Sequence, residues 1–188
     1  MTAVVGTRQL RREDPALLTG ERRFVDDLVV PGALHAKILR SNVAHARIAS
    51  IDTSAAAAMP GVVSVHTGAE LRDEWANPLP CAWPVTDDMK NPEHWPVAID
   101  EVRYVGDAVA VVVAESKQTA RDALEAIVVE YERLPVVLDL EDAAADTNLV
   151  HADLGTNRSY VWSLIPDPAA VDAAFGAAAH VVSERYLQ

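Results

Sequence analysis

Seven consecutive residues, 108–114 (AVAVVVA), carry no polar side chain, and four of them are valine. A β-branched run of strand length without alternation predicts a strand buried on both faces. The rest of the chain must therefore cover that strand from two sides. One cover follows at once. Ser116 is placed to cap a helix over SKQTARDALEAI, where Ala120, Ala123, Leu124 and Ile127 recur at i, i+3, i+4 and i+7. Lys117, Gln118, Arg121, Asp122 and Glu125 lie mostly off that stripe. Burying Leu124 and Ile127 contributes about 1.5–3 kcal/mol each, so the stripe is expected against a sheet. Residues 128–131 then read as another strand, ended by Leu134-Pro135.

Upstream, residues 1–23 read as an extended arm with a short helical piece at 15–19, stopped by Gly20. Residues 24–30, 34–39 and 47–51 are apolar or alternating runs bounded by Pro31-Gly32 and Ser41-Asn42, which predicts an antiparallel start of three strands. Residues 54–59 predict one or two helical turns, and Pro60-Gly61 a tight turn into a strand at 62–67. Residues 75–96 hold five prolines and three of the four tryptophans and show neither strand nor helix period. This is a long loop, serving either a site or partner or simply packing on its own domain through its aromatic residues. Beyond 138 the character changes. A short acidic helical turn is expected at 139–146, a helix at 169–178 behind the cap Asp167-Pro168, and an alternating strand from 180 that is unfinished at 188. That unfinished strand is expected to belong to a domain outside these residues.

The charge balance narrows the function classes. There are 28 Asp and Glu against 16 Lys and Arg, a formal charge of −12, and the basic residues gather only in short groups such as Arg8, Arg11, Arg12 and Arg22, Arg23. Nucleic acids and anionic membranes are recognised by clustered cations, so neither is an expected partner. The single cysteine, Cys81, allows no internal disulfide, no Cys-x-x-Cys zinc site and no all-cysteine iron–sulfur cluster. With no signal-like start and no apolar run of bilayer length, a soluble cytoplasmic protein is expected.

Chemistry-bearing motifs are missing from the spacing. The eight glycines never stand two or three apart, so neither a dinucleotide nor a Walker-type phosphate loop can be drawn. The six histidines show no metal-ligand spacing, and no serine lies in a G-x-S-x-G frame. Cys81 reads as a free loop thiol, and the pairs Asp26-Asp27, Asp87-Asp88 and Glu141-Asp142 as solvated carboxylates. No catalytic, cofactor-binding or metal residue is assigned. The residues themselves lead as far as an acidic α+β domain with a long aromatic loop.

Longer phrases are more specific. They are Leu18-Thr19-Gly20 with Phe24, Asp26 and Asp27; Pro31-Gly32 with Leu34-His35; Arg40-Ser41 with Ala44-His45-Ala46-Arg47-Ile48; Pro60-Gly61-Val62; Val102 to Asp107 (VRYVGD); and Glu130-Tyr131-Glu132 with Leu134-Pro135. In this order they resemble the N-terminal α/β hammerhead domain of the molybdenum hydroxylase large subunit, the family of xanthine dehydrogenases, aldehyde oxidases and aerobic carbon monoxide dehydrogenases. The resemblance runs from about residue 8 to 137, and the tail is similar to the linker that enters the molybdopterin-binding domain. Asn42-Val43 after Arg-Ser, and Asp107 where Glu is frequent, depart from the family pattern.

The resemblance implies a hammerhead-like mixed sheet with one main packed helix, an arm at 1–17, the hammerhead domain at 18–137, and at 138–188 a linker with the truncated start of the next domain. It implies a parent oxidoreductase in which molybdopterin inserts water-derived oxygen into an aldehyde, an N-heterocycle or a CO-type substrate. Electrons would pass through 2Fe-2S clusters to FAD on partner subunits of a hetero-oligomer. The family's cofactor segments and catalytic glutamate lie beyond the hammerhead domain, so the segment is expected to pack against the cofactor domains and partner subunits. Trp83, Trp95, Arg103, Tyr104, Gly106 and Asp107 are the candidate contacts. The competing reading of Arg103 and Tyr104 is that they close the loop onto their own sheet. The competing function is a free-standing hammerhead module for assembly or binding, without catalysis.

Overall fold

A computed structural model of the protein describes residues 5–80 and 86–186. Twelve elements follow in chain order: α1 (Asp14–Leu18), β1 (His35–Arg40), β2 (Ala46–Asp52), α2 (Ser54–Ala57), β3 (Val62–Thr67), α3 (Gly68–Leu71), β4 (Glu101–Val102), β5 (Ala108–Ala114), α4 (Lys117–Glu125), β6 (Val128–Arg133), α5 (Leu140–Ala144) and α6 (Pro168–Ala177). The strands form two three-stranded antiparallel sheets, ordered β1-β5-β3 and β4-β2-β6. The expected α+β class holds, with the sheet divided in two.

The valine run is the middle strand of the first sheet. Val112 lies opposite Lys37 on β1 and Val65 on β3. Because side chains alternate across a strand, β5 serves two cores. Ala110, Val112 and Ala114 join Ala56, Ala120, Ala123 and Ile127 in one cluster. Val109, one residue out of phase, joins Ala46, Ala98 and Val102 in the other. Leu39, Ile51 and Val129 pack against both, so the two clusters form one interior. The amphipathic stripe of α4 meets the sheet as expected through Ala120 and Ala123, whose small side chains let helix and sheet approach closely. Ser116 Oγ accepts the Thr119 amide at 3.0 Å, a cap of the kind worth about 1 kcal/mol.

Two of the expected strands are absent, and β1 and β2, expected to start one antiparallel unit, lie in different sheets. Residues 24–30 form no strand. Their only regular piece is a 3₁₀ turn at Val25–Asp27, in which the Phe24 amide donates to the Asp27 carboxylate at 2.9 Å. Lys117 Nζ donates to Asp26 Oδ1 at 2.8 Å, holding the turn to the start of α4. Short acidic side chains satisfy the local backbone here and compete with sheet pairing. Residues 180–186 also carry no strand: Val181-Val182 followed by Ser183-Glu184-Arg185 does not keep a period of two, and no backbone pairing is formed there among the described residues.

The crossing from β1 to β2 sets the site. These neighbours in sequence enter different sheets. At the end of β1 the Ser41 amide donates to the Asp107 carbonyl at 2.7 Å, and the Gly106 amide donates back to the Ser41 carbonyl at 2.8 Å. Ser41 Oγ then donates to the Val43 carbonyl at 2.7 Å and accepts the Val43 amide at 3.1 Å, turning the chain toward β2. The turn that leads into β5 is thereby stitched to the point where the first sheet hands over to the second. Among the described residues no helix is long and apolar enough to cross a membrane.

Candidate functional site

Residues 103–107 lie between β4 and β5, and their side chains divide into inward and outward groups. Asp107 is buried, and its Oδ2 accepts the Arg103 amide at 3.1 Å. Gly106 sits at φ +100°, a conformation that disfavours any residue with a Cβ, and its carbonyl accepts Arg40 Nη1 at 2.8 Å. Arg103 faces inward too. Its Nε lies 3.5 Å from Glu101 Oε1 and donates to the Val150 carbonyl at 3.3 Å. Tyr104 and Val105 are the outward tip, 47% and 66% exposed.

The aromatic loop closes beside this turn. Trp75 and Trp95 stack with centroids 5.7 Å apart and planes 17° apart. Next to them Leu79 and His94 form an isolated bridge, the Leu79 amide donating to the His94 carbonyl at 2.7 Å. The His94 ring lies 6.4 Å from that of Tyr104. Trp95 is thus a pin that closes the stem of its own loop. Trp83 and Cys81 lie outside the described residues.

Between the loop and the turn runs a cleft of about 170 Å³, whose walls include His94, Trp95, Glu101, Arg103, Tyr104 and His151. Burial, then the Arg103 guanidinium, pushes the His151 ring below the ordinary histidine range, favouring the neutral form. Burial pushes the Tyr104 phenol above its ordinary value near 10.0, with the Asp107 carboxylate raising it further. Replacing Asp107 with Asn removes the charge and leaves the burial. The Tyr104 phenolate should then form at lower pH than in the parent, still above the ordinary tyrosine value, and ultraviolet difference titration reads this directly. An unmoved Tyr104 transition would contradict the coupling.

Sequence reasoning named the contiguous 103–107 turn and missed His45, Glu101 and His151, which the fold brings to it. No spacing signal could have found them, since they belong to three separate stretches of chain. The cleft offers little chemistry of its own. Its carboxylates at Glu101 and Asp107 accept from Arg103 or His45, and its guanidinium is already engaged. Among the described residues no three His, Cys, Asp or Glu side chains converge as a metal-ligand set. The molybdopterin implied by the resemblance does not fit these residues, because a phosphate-bearing pterin needs convergent free donors and the cleft presents acids and an occupied arginine.

Residues 19–135 match the family model described as the a/b hammerhead domain of aldehyde oxidase and xanthine dehydrogenase. The gamma subunit of the 6-hydroxypseudooxynicotine dehydrogenase complex of Paenarthrobacter nicotinovorans is 38% identical over 192 residues, spanning 98% of this chain and 23% of that relative. The carbon monoxide dehydrogenase large chain of Hydrogenophaga pseudoflava is 35% identical, over 94% of this chain and 23% of its own. Among solved structures, the Cu,Mo carbon monoxide dehydrogenase in its carbon monoxide reduced state superposes with a TM-score of 0.74 at 32% identity, covering 93% of this chain and 23% of that one. Quinoline 2-oxidoreductase from Pseudomonas putida 86 gives 0.68 at 44%, covering 77% and 18%. The chain therefore spans about a quarter of the length of the curated relatives it matches.

Proposed function

Because this chain belongs to the aldehyde oxidase and xanthine dehydrogenase a/b hammerhead family, we propose that it is the N-terminal segment of a molybdenum hydroxylase large subunit. In that parent, the substrate would take an oxygen atom from water, releasing two protons to solvent and an electron pair that would pass through iron–sulfur clusters to FAD. The substrate is an aldehyde, an N-heterocycle or a CO-type molecule. N-heterocycles are the first to assay, since two of the similar proteins are named for 6-hydroxypseudooxynicotine and quinoline. The parent is cytoplasmic and assembles with Fe–S and FAD subunits.

The observation that carries this reading is the extent of the match. Similarity to the dehydrogenase gamma subunit runs over 98% of the chain, past the end of the hammerhead model at 135 and into the tail. On this basis residues 1–17 are an arm, 18–137 the hammerhead domain and 138–188 the approach to the cofactor-binding domain. The exposed apolar side chains of that tail support the division, Trp162, Leu164 and Phe175 all being more than 60% exposed, since surface of this kind marks contact sites. Within the hammerhead the contacts toward other domains are those at Trp83, Trp95 and the 103–107 turn. Tyr104 and Val105 touch the neighbour, while Arg103, Gly106 and Asp107 hold the turn in shape.

The test is the mass of the native polypeptide, read by an antibody raised against this chain. A band several times heavier than 20.3 kDa is expected, together with molybdenum in the purified protein. A band at 20.3 kDa would overturn the proposal in favour of a free-standing, non-catalytic module.

A further inference from the structure

The chain leaves β6 along a path that apolar packing does not secure. Val136, Leu138 and Leu140 are 45%, 87% and 81% exposed, so burial contributes little to holding residues 134–140 in place. Apart from the local cap at Asp139, the polar contacts of this stretch lead to one residue, His45, which precedes β2 and is 6% exposed. Its carbonyl accepts the Leu134 amide at 3.0 Å. Its ring meets the Pro135 carbonyl through Nδ1 at 2.6 Å and Glu101 Oε1 through Nε2 at 2.9 Å. Each ring nitrogen thus faces an oxygen, one on the backbone and one on a carboxylate. One side chain thus bridges β4 and the exit from β6, at the start of the strand between them.

The hold extends further. Glu101 Oε1 also faces Arg103 Nε at 3.5 Å, and Arg103 donates to the Val150 carbonyl at 3.3 Å. Between these two anchors the chain is braced within itself. Asn157 donates to the carbonyls of Ala143 and Asn148 at 3.2 and 2.7 Å, and its side-chain oxygen accepts the Val150 amide at 2.9 Å. Farther along, Leu154 and Ser159 bond to Lys90, a residue of the aromatic loop and not of either sheet.

We infer that His45, through Glu101 and Arg103, is a polar latch that fixes the course of residues 134–150 against the second sheet. The latch sets the direction in which the chain departs from the hammerhead core. It does so whether or not a cofactor domain follows, so it stands apart from the proposed enzymatic function.

Hydrogen exchange read by mass spectrometry on the native polypeptide tests it. His45→Phe keeps a planar ring and removes both ring nitrogens. Exchange is expected to quicken about tenfold at 134–137 and 148–152, the effect of losing a buried hydrogen bond, while 108–114 stays protected. Unchanged exchange at 134–137, or an equal rise across 108–114, would overturn the latch, the second outcome making His45 an ordinary core residue. Should His45→Phe fail to fold, Arg103→Met isolates the far anchor. It should quicken 148–152 about tenfold and leave 134–137 as it was, and an unaltered 148–152 would equally overturn the proposal.

Discussion

Gly68→Ala should destabilise the domain by about 3 kcal/mol or more, the largest loss expected from removing or adding so few atoms. A Cβ at this position would sit 2.1 Å from the Ala98 carbonyl oxygen, 2.6 Å from its carbon and 2.8 Å from the Val97 oxygen. All three are backbone atoms, so no side-chain rotation relieves the contact. Neither partner moves easily. Gly68 opens α3 beneath a reciprocal cap, in which Thr67 Oγ1 accepts the Glu70 amide at 3.4 Å and Glu70 Oε2 accepts the Thr67 amide at 2.9 Å. Ala98 is buried in the second core cluster, and its amide donates to the Ala108 carbonyl at 2.7 Å at the start of β5. Urea unfolding at constant m-value measures the loss. A decrease below about 1 kcal/mol would show that the 97–98 backbone yields more readily than packed interiors do.

Asp107→Ala is the next largest, at about 2 kcal/mol, because a charge-assisted hydrogen bond contributes more than a neutral one and its donor stays buried when the acceptor goes. The Arg103 amide loses its carboxylate, and the turn through Tyr104, Val105 and Gly106 loses the brace that spans it. Asp107→Asn keeps an acceptor of the same reach and should cost less than half as much. Chemical unfolding of the two variants beside the parent separates the roles. Equal losses would mean that the charge carries the effect, whereas loss in neither would remove Asp107 from the architecture of the turn.

How much of this was legible in the sequence depends on how local the cause was. β5 and α4 follow from a valine run, a serine cap and an apolar stripe, all of which act within a dozen residues. β4 escaped notice because two residues, Glu101 and Val102, are too short to show any period; only pairing with Ala46 and Arg47 makes them a strand. The strand expected at 24–30 failed for the opposite reason, since its pattern was adequate while a neighbouring carboxylate offered the backbone a nearer partner. β1 and β2 read as consecutive strands and were expected to start one antiparallel unit. Their separation is decided at Ser41 by bonds to Gly106 and Asp107, residues far along the chain. The site divides in the same way. The 103–107 turn is contiguous and carries a recognisable phrase, whereas His45, Glu101 and His151 acquire meaning only after both sheets have formed.

The position of β5 in the first sheet governs when this domain can fold at all. β1 and β3 hydrogen-bond only to β5 in that sheet, and His35 pairs with Ala114 across most of the hammerhead sequence. On a ribosome the two outer strands emerge well before the strand that joins them and wait with unpaired backbone. Loop-closure entropy must be met before any of those contacts forms, which places the domain among slow, topology-limited folders. During that interval the apolar residues and unpaired edges of β1 and β3 are open to aggregation.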